Sequence, residues 1–330
     1  MADEAKAPAM NDRIIGALVG MAIGDALGLV GESPLARRPV TGYQPVRDAA
    51  GATIVEAGQF SAHTELALCL AESAIGSGGF VDPTTAGYRF AQVLRSEHGH
   101  LVDPVTRAAL ELAMESGEFQ AGLSDAGRTS PGPAARISPV ALVHSLGHLN
   151  VELFVREVTR ATLITHADPL ATSGALAMAW AVQVIVRRET TPERLIAEVL
   201  AFIDEDDIAS RLRAADRLSG NDPAEIEQGV HTLNRDGSLS DAVATALYLF
   251  SRLSDSFEAA TLAAANAGPG AAAIGAMTGA LAGAWLGGHG IPGSLVEGLD
   301  GRTYLMMAAP ALYRTAQRRG GIFLPMHQQA

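Results

Sequence analysis

The chain of 330 residues has one cysteine, Cys69. No disulfide can form within it, which excludes a small cross-linked scaffold and fits a reducing, cytoplasmic setting. Cys69 lies in an apolar helical run and reads as a small buried hydrophobe. Basic charge is also scarce: 24 Lys and Arg against 36 Asp and Glu leave a formal net charge of −12. A nucleic-acid duplex is held by neutralising its phosphates, so a duplex partner is excluded, although a single nucleotide in a pocket is not. Aromatic residues make up 5% and charged residues 18% of the chain. Strand-like alternation is almost absent, and there is no charged linker, low-complexity tract or repeat period.

Long membrane-type runs are lacking too. "RIIGALVGMAIGDALGLV" is interrupted by Asp25, follows an acidic leader and has no small-residue cleavage site, so it is not read as an export signal. "AAAIGAMTGALAGAWLG" (271–287) falls short of the ~20 residues a span needs and is rich in small residues. It reads as a core helix, and no membrane partner is expected.

What the sequence does have is 48% hydrophobic residues and 35 glycines, the composition of a soluble globular protein with closely packed helices. "DPVTRAALELAMES", "VELFVREVTRATLI", "DPLATSGALAMAWAVQVIVRR", "PERLIAEVLAFIDE" and "SDAVATALYLFSRL" all carry apolar residues at helical spacing. Several start at Asp-Pro or Thr-Pro, which suits a helix N-terminus. The prediction is a flexible leader over residues 1–10, then a single all-α domain over 11–330. Gly275, Gly279, Gly283 and Gly287 recur every fourth residue. Each costs about 1 kcal/mol relative to alanine inside a helix, so a stripe of them implies that another backbone passes very close.

Candidate chemistry is concentrated in a few places. "GALVGMAIGDALGLVGES" (16–33) sets Gly16, Gly20, Gly24 and Gly28 on one face, with carboxylates at Asp25 and Glu32. Glu32 can enter a cleft as an acid or base, or can be a solvated loop glutamate. His144 and His148 are spaced for a metal but lack the glutamate of the zinc-protease motif, and surface or core histidines explain them. His98, His100 and Asp103 form an equally weak set. His166, just before a helix start at Asp168, can contact a ligand or satisfy loop carbonyls. Arg136, in a turn bounded by glycine and proline, can face an anion or a structural carboxylate. "GQFSAHTELAL" (58–68) starts a helix at Ser61, with Ala62 and His63 at its head.

In this order the segments resemble the ADP-ribosylglycohydrolase family, from about Asn11 onward. Its opening G-D-A-L-G-x-x-x-E is matched by Gly24 to Gly28 and Glu32. Its N-G-x-x-M-R-x-x-P is matched at Gly132, Arg136 and Pro139, with Pro131 and Ala135 as departures. A Thr-His pair is matched by Thr165 and His166, and the glycine-rich last motif by "GALAGAWLGGHGIP". The resemblance implies a compact single-domain orthogonal helical bundle and an ADP-ribose-like or other ribosylated ligand. It implies Glu32 as the catalytic group, and Asp25, Ser61, His63, Thr64, Gly132, Arg136, His166, Gly268 and Gly270 around the ligand.

The departures fall at the family's metal site. Its T-D-D-T motif binds a pair of magnesium or manganese ions, and here it reads Ser61-Ala62-His63-Thr64. Its G-x-D-x-D-T reads Gly268-Pro269-Gly270-Ala271-Ala272-Ala273. Magnesium demands oxygen ligands, which alanine, glycine and imidazole do not supply. No metal and no other cofactor is therefore expected. The readings carried forward are a hydrolase of N-glycosidic bonds that works without metal, a binding protein without activity, and a purely structural protein.

Overall fold

The computed structural model describes residues 7–119, 122–123 and 130–321. The expected leader over 1–10 lies largely outside the described residues, and the first helix, α1, begins at Met10 and runs to Glu32 (Met10–Glu32). There follow α2 (Ala62–Gly76), α3 (Pro83–Val93), α4 (Pro104–Ser116), α5 (Gly132–Ala135) and α6 (Ser138–Val143). The middle of the chain forms α7 (Val151–Leu163), α8 (Pro169–Val186), α9 (Leu195–Leu200), α10 (Asp206–Arg217) and α11 (Pro223–Leu233). The last five helices are α12 (Leu239–Leu253), α13 (Phe257–Ala265), α14 (Ala271–Leu286), α15 (Gly293–Glu297) and α16 (Arg302–Arg319).

The Asp-Pro signals act as expected at helix starts. Asp82, Asp103, Asp168 and Asp222 each cap a helix with proline in its first turn, and Asp222 completes a capping box with Glu225. Two expectations need correction. "PERLIAEVLAFIDE" forms a 3-10 turn and then only the short α9, ending at Leu200. A small antiparallel hairpin also appears, β1 (Val46–Arg47) and β2 (Thr53–Val55), with Val46 opposite Val55. Strands of two and three residues leave no alternation for a sequence reading to detect.

The domain is built around α1 and α14. A Cβ placed on Gly16, Gly20, Gly24 or Gly28 would lie 2.2, 2.3, 1.9 or 2.1 Å from the carbonyl oxygen of Gly283, Gly279, Gly275 or Ala271 respectively. One series ascends as the other descends, so the helices are antiparallel, and only glycine allows the backbones to come so close. Gly287 lies just past α14 as its C-cap, with a positive φ of 77° that favours glycine. Around this pair α8, α12, α13 and α16 complete one apolar core. By length and composition α1 and α8 could each cross a bilayer, but 94% and 72% of their apolar windows are buried in the fold.

Candidate ligand-binding site

Asp25 and Glu32 lie two turns apart on α1, and each is seated on the N-terminus of a different helix. Asp25 is fully buried. Its Oδ2 accepts the backbone N–H of Ser61 at 3.2 Å, the backbone N–H of Thr64 at 3.0 Å and the Thr64 hydroxyl at 2.6 Å. Ser61 Oγ in turn accepts the N–H of His63 at 3.1 Å. The head of α2 is thus tied down from within. Burial pushes the Asp25 carboxyl above its ordinary range, against the opposing pull of His63 and of the hydrogen bonds from Thr64 and Ser61. Its other oxygen, Oδ1, has no hydrogen-bond partner among the described residues. Asp25 and Thr64 were expected to touch a ligand; both are buried and bonded to each other, because the amides at the start of α2 need an acceptor.

Glu32 does the corresponding work for α14. That helix starts at Gly270, in the left-handed conformation (φ 71°) and with no capping side chain. Glu32 Oε1 fills the gap by accepting the N–H of Ala272 at 3.0 Å. Glu32 as a residue is exposed to solvent, although protein surrounds its carboxyl closely. Burial raises its pKa; the Ala272 N–H and His63 act against this, and Asp25 adds to it. His63 is half-buried and near enough to both carboxyls to favour their charged forms. The two altered motifs therefore meet at α1, His63 from one side and Ala272 from the other.

The loop before α14 is held by Asn234, which the sequence gave no reason to select. Its Nδ2 donates to the carbonyls of Ala267 and Pro269 at 2.8 and 2.9 Å. Gly268 faces open space, while a Cβ on Gly270 would lie 3.2 Å from Gly237. Ala272 packs with Leu29, Val46, Val55 and Leu101, so this side of the helix head is apolar.

A second group is built on Arg136, which is 1% exposed. Its guanidinium donates to Thr165 Oγ1 and lies 5.2 Å from the centre of the Phe90 ring. The same Oγ1 is 2.8 Å from His166 Nδ1. Burial pulls the Arg136 pKa down to about 10, with Asp103 opposing. Asp103 is held below the usual carboxylate range. Burial pushes it up, but the Thr106 hydrogen bonds and the charges of His166 and Arg136 outweigh that. The charge of Asp103 thus acts on Arg136 across the space between them. Gly132 is buried beside it, where a Cβ would sit 3.5 Å from Arg136 Nη1. α5 packs against both α2 and α14.

The remaining histidines are explained locally. His144 is buried edge-on to Phe154, and His148 is exposed beyond the end of α6. His98 Nδ1 pairs with Glu65 Oε1 at 2.6 Å. Burial pushes the Cys69 thiol up to about 12, which leaves it unreactive.

An all-α domain whose first helix sets Asp25 and Glu32 on the heads of two other helices defines the fold and its candidate site. The comparisons make this specific. The ADP-ribosylglycohydrolase family model matches residues 6–321, and the chain belongs to that family. It is 30% identical over 315 residues to an uncharacterized protein of Archaeoglobus fulgidus, covering 94% of this chain and 98% of that one. It is 28% identical to the ADP-ribosyl-[dinitrogen reductase] glycohydrolase of Rhodospirillum rubrum, covering 89% and 92%. A solved structure described as an ADP-ribosylglycohydrolase-related protein complex matches with a TM-score of 0.72 and 28% identity, over 93% of this chain and 99% of that one.

The family's two divalent ions do not fit the residues present. Ala62, Gly270 and Ala272 carry no donor atoms, and His63 offers one imidazole. The Thr64 hydroxyl donates its proton to Asp25 Oδ2. Among the described residues no group of three His, Cys, Asp or Glu could hold a metal ion.

Proposed function

We propose that this protein takes the ADP-ribosyl group of an ADP-ribosylated substrate, or a related ribosylated nucleotide or small molecule, into a cleft at Glu32 and hydrolyses the N-glycosidic bond to that ribose without a divalent metal. The observation that carries this reading is the state of Glu32: one oxygen is fixed by Ala272 N–H, the residue is exposed, and its carboxyl holds its proton above the ordinary glutamate range. Such a carboxyl can protonate the leaving nitrogen as the bond to C1′ breaks through an oxocarbenium-like state. Water then bonds to C1′ and its released proton restores Glu32. His63 supplies part of the electrostatic setting that carboxylates and metal supply elsewhere in the family.

A second reading, binding without hydrolysis, is favoured by the loss of oxygen donors at Ala62, His63, Gly270 and Ala272 together. One experiment separates the two. The protein in chelator is incubated with an ADP-ribosylated arginine peptide, and free ADP-ribose is measured against Glu32→Gln. Release by the parent and not by the variant supports hydrolysis. Binding of ADP-ribose with no release supports the second reading.

A further inference from the structure

Residues 33–47, "SPLARRPVTGYQPVR", hold three arginines and no acid, in a chain whose acids outnumber its bases 36 to 24. The segment is anchored along its length. Val40 N–H donates to Asn266 Oδ1 at 2.8 Å, and Asn266 Nδ2 returns a bond to the Val40 carbonyl at 2.9 Å. Tyr43 Oη donates to the Leu295 carbonyl at 2.9 Å, and Arg37 N–H donates to Gln44 Oε1 at 3.3 Å. Arg38 turns inward and donates to the carbonyl of Gly31. These ties leave an open cavity of about 450 Å³ with Arg37, Arg47, Thr41 and Gln44 in its walls. Among the described residues neither Arg37 nor Arg47 has a carboxylate in ion-pair range.

The cavity follows Glu32 closely along the chain. Its wall starts at Leu35, three residues past Glu32, and ends at Arg47. The neighbouring Val46 packs on Leu29 and on Ala272, the residue that donates to Glu32. A surface of net negative charge repels an anionic substrate, and two exposed guanidiniums, Arg37 and Arg47 (the latter donating to the Gly51 carbonyl at 3.0 Å), reverse that locally. Their planar forks match carboxylate and phosphate oxygens.

We infer that this cavity is an anion subsite for the acceptor side of the substrate: it takes a carboxylate or phosphate carried by the group from which the ribosyl unit is released. The inference rests on the cleft at Glu32 being the ADP-ribose site. Arg37 and Arg47 then act in specificity, not in bond cleavage.

The test uses the full chain, saturated with ADP-ribose, and titrates two probes by calorimetry: inorganic phosphate and a blocked Asp-Gly-Asp peptide. Parent and Arg37→Ala/Arg47→Ala are compared at low and high salt, with thermal melting to verify that both are folded. The expected result is that at least one probe binds the parent, about fivefold more weakly for each arginine removed and more weakly in salt. ADP-ribose affinity should not change. Which probe binds tells a phosphate-bearing acceptor from a carboxylate-bearing one. Failure of both probes, or equal binding to the double variant, overturns the inference. A loss of ADP-ribose affinity in the double variant also overturns it, because the arginines would then be holding the nucleotide's own phosphates. If ADP-ribose does not bind the parent at all, the reading of the cleft falls, and phosphate and peptide titrated alone still report on the arginines.

Discussion

Glu32 and Ala272 are separated by 240 residues in sequence and joined by one hydrogen bond of 3.0 Å, from the Ala272 N–H to Glu32 Oε1. By the resemblance, position 272 answers to an aspartate, and here its backbone alone meets the glutamate. That relationship puts Glu32 at the centre of the account, because one oxygen is fixed while the residue stays exposed to solvent.

Glu32→Gln keeps the shape and removes the proton. Loss of general acid catalysis should lower kcat/KM by about 100- to 10,000-fold. The parent should lose activity as pH rises through the raised pKa of Glu32, since the protonated acid is the active form. That limb should be missing from the residual activity of the variant. A parent profile that instead rises through the same region would make Glu32 a base.

Asp25 should matter for stability and not for contact with ligand. Asp25→Ala leaves two amides and a hydroxyl at the head of α2 without an acceptor, a cost of about 3 kcal/mol or more. Asp25→Asn keeps an acceptor for these donors and should cost less. A carboxyl whose pKa is raised in the folded state destabilises as it ionises, so its penalty grows as pH rises from the unfolded value through the folded one. Denaturant titrations of the parent and Asp25→Asn across acid to neutral pH should show that dependence only in the parent share due to Asp25.

The glycine contact between α1 and α14 should tolerate no side chain. Gly24→Ala would press a methyl to 1.9 Å from the Gly275 oxygen, so the helices must part, at about 3 kcal/mol or more. Gly76→Ala, on α2 with nothing within 4 Å, is the control and should be neutral or stabilising by up to about 1 kcal/mol. Melting curves of the two variants verify the contrast.

Restoring aspartate at Ala62, His63, Gly270 and Ala272 should lower the melting temperature in chelator. Ala62 and Ala272 are 4% and 2% exposed, so their new carboxylates would be buried and would repel one another. Gly270 has a left-handed backbone, which adds strain. Magnesium or manganese should recover stability in proportion to its concentration in the variant and not in the parent. Identical melting with and without ions would mean that the four positions do not form one site.

Much of this was legible in the chain. The four-residue glycine periods mark close helix packing, and Asp-Pro pairs mark where helices begin. The motif order gives the family. Other features have no local signature. A two-residue strand shows no alternation, and Asn234 looks like any loop asparagine until its carbonyl partners are known. Asp25 reads as a ligand group because a carboxylate in a motif does not reveal that its acceptors face inward. Arg136 shows charge, but only folding brings in Asp103 from another helix start.

A cleft at Glu32 that holds an ADP-ribose-like ligand needs, on the reading proposed above, no divalent ion. Calorimetric titration of the purified protein with ADP-ribose, in chelator and again in excess magnesium or manganese, addresses this directly. The expected result is sub-millimolar binding with the same affinity in both conditions. Binding that appears only when the metal is added would contradict the claim.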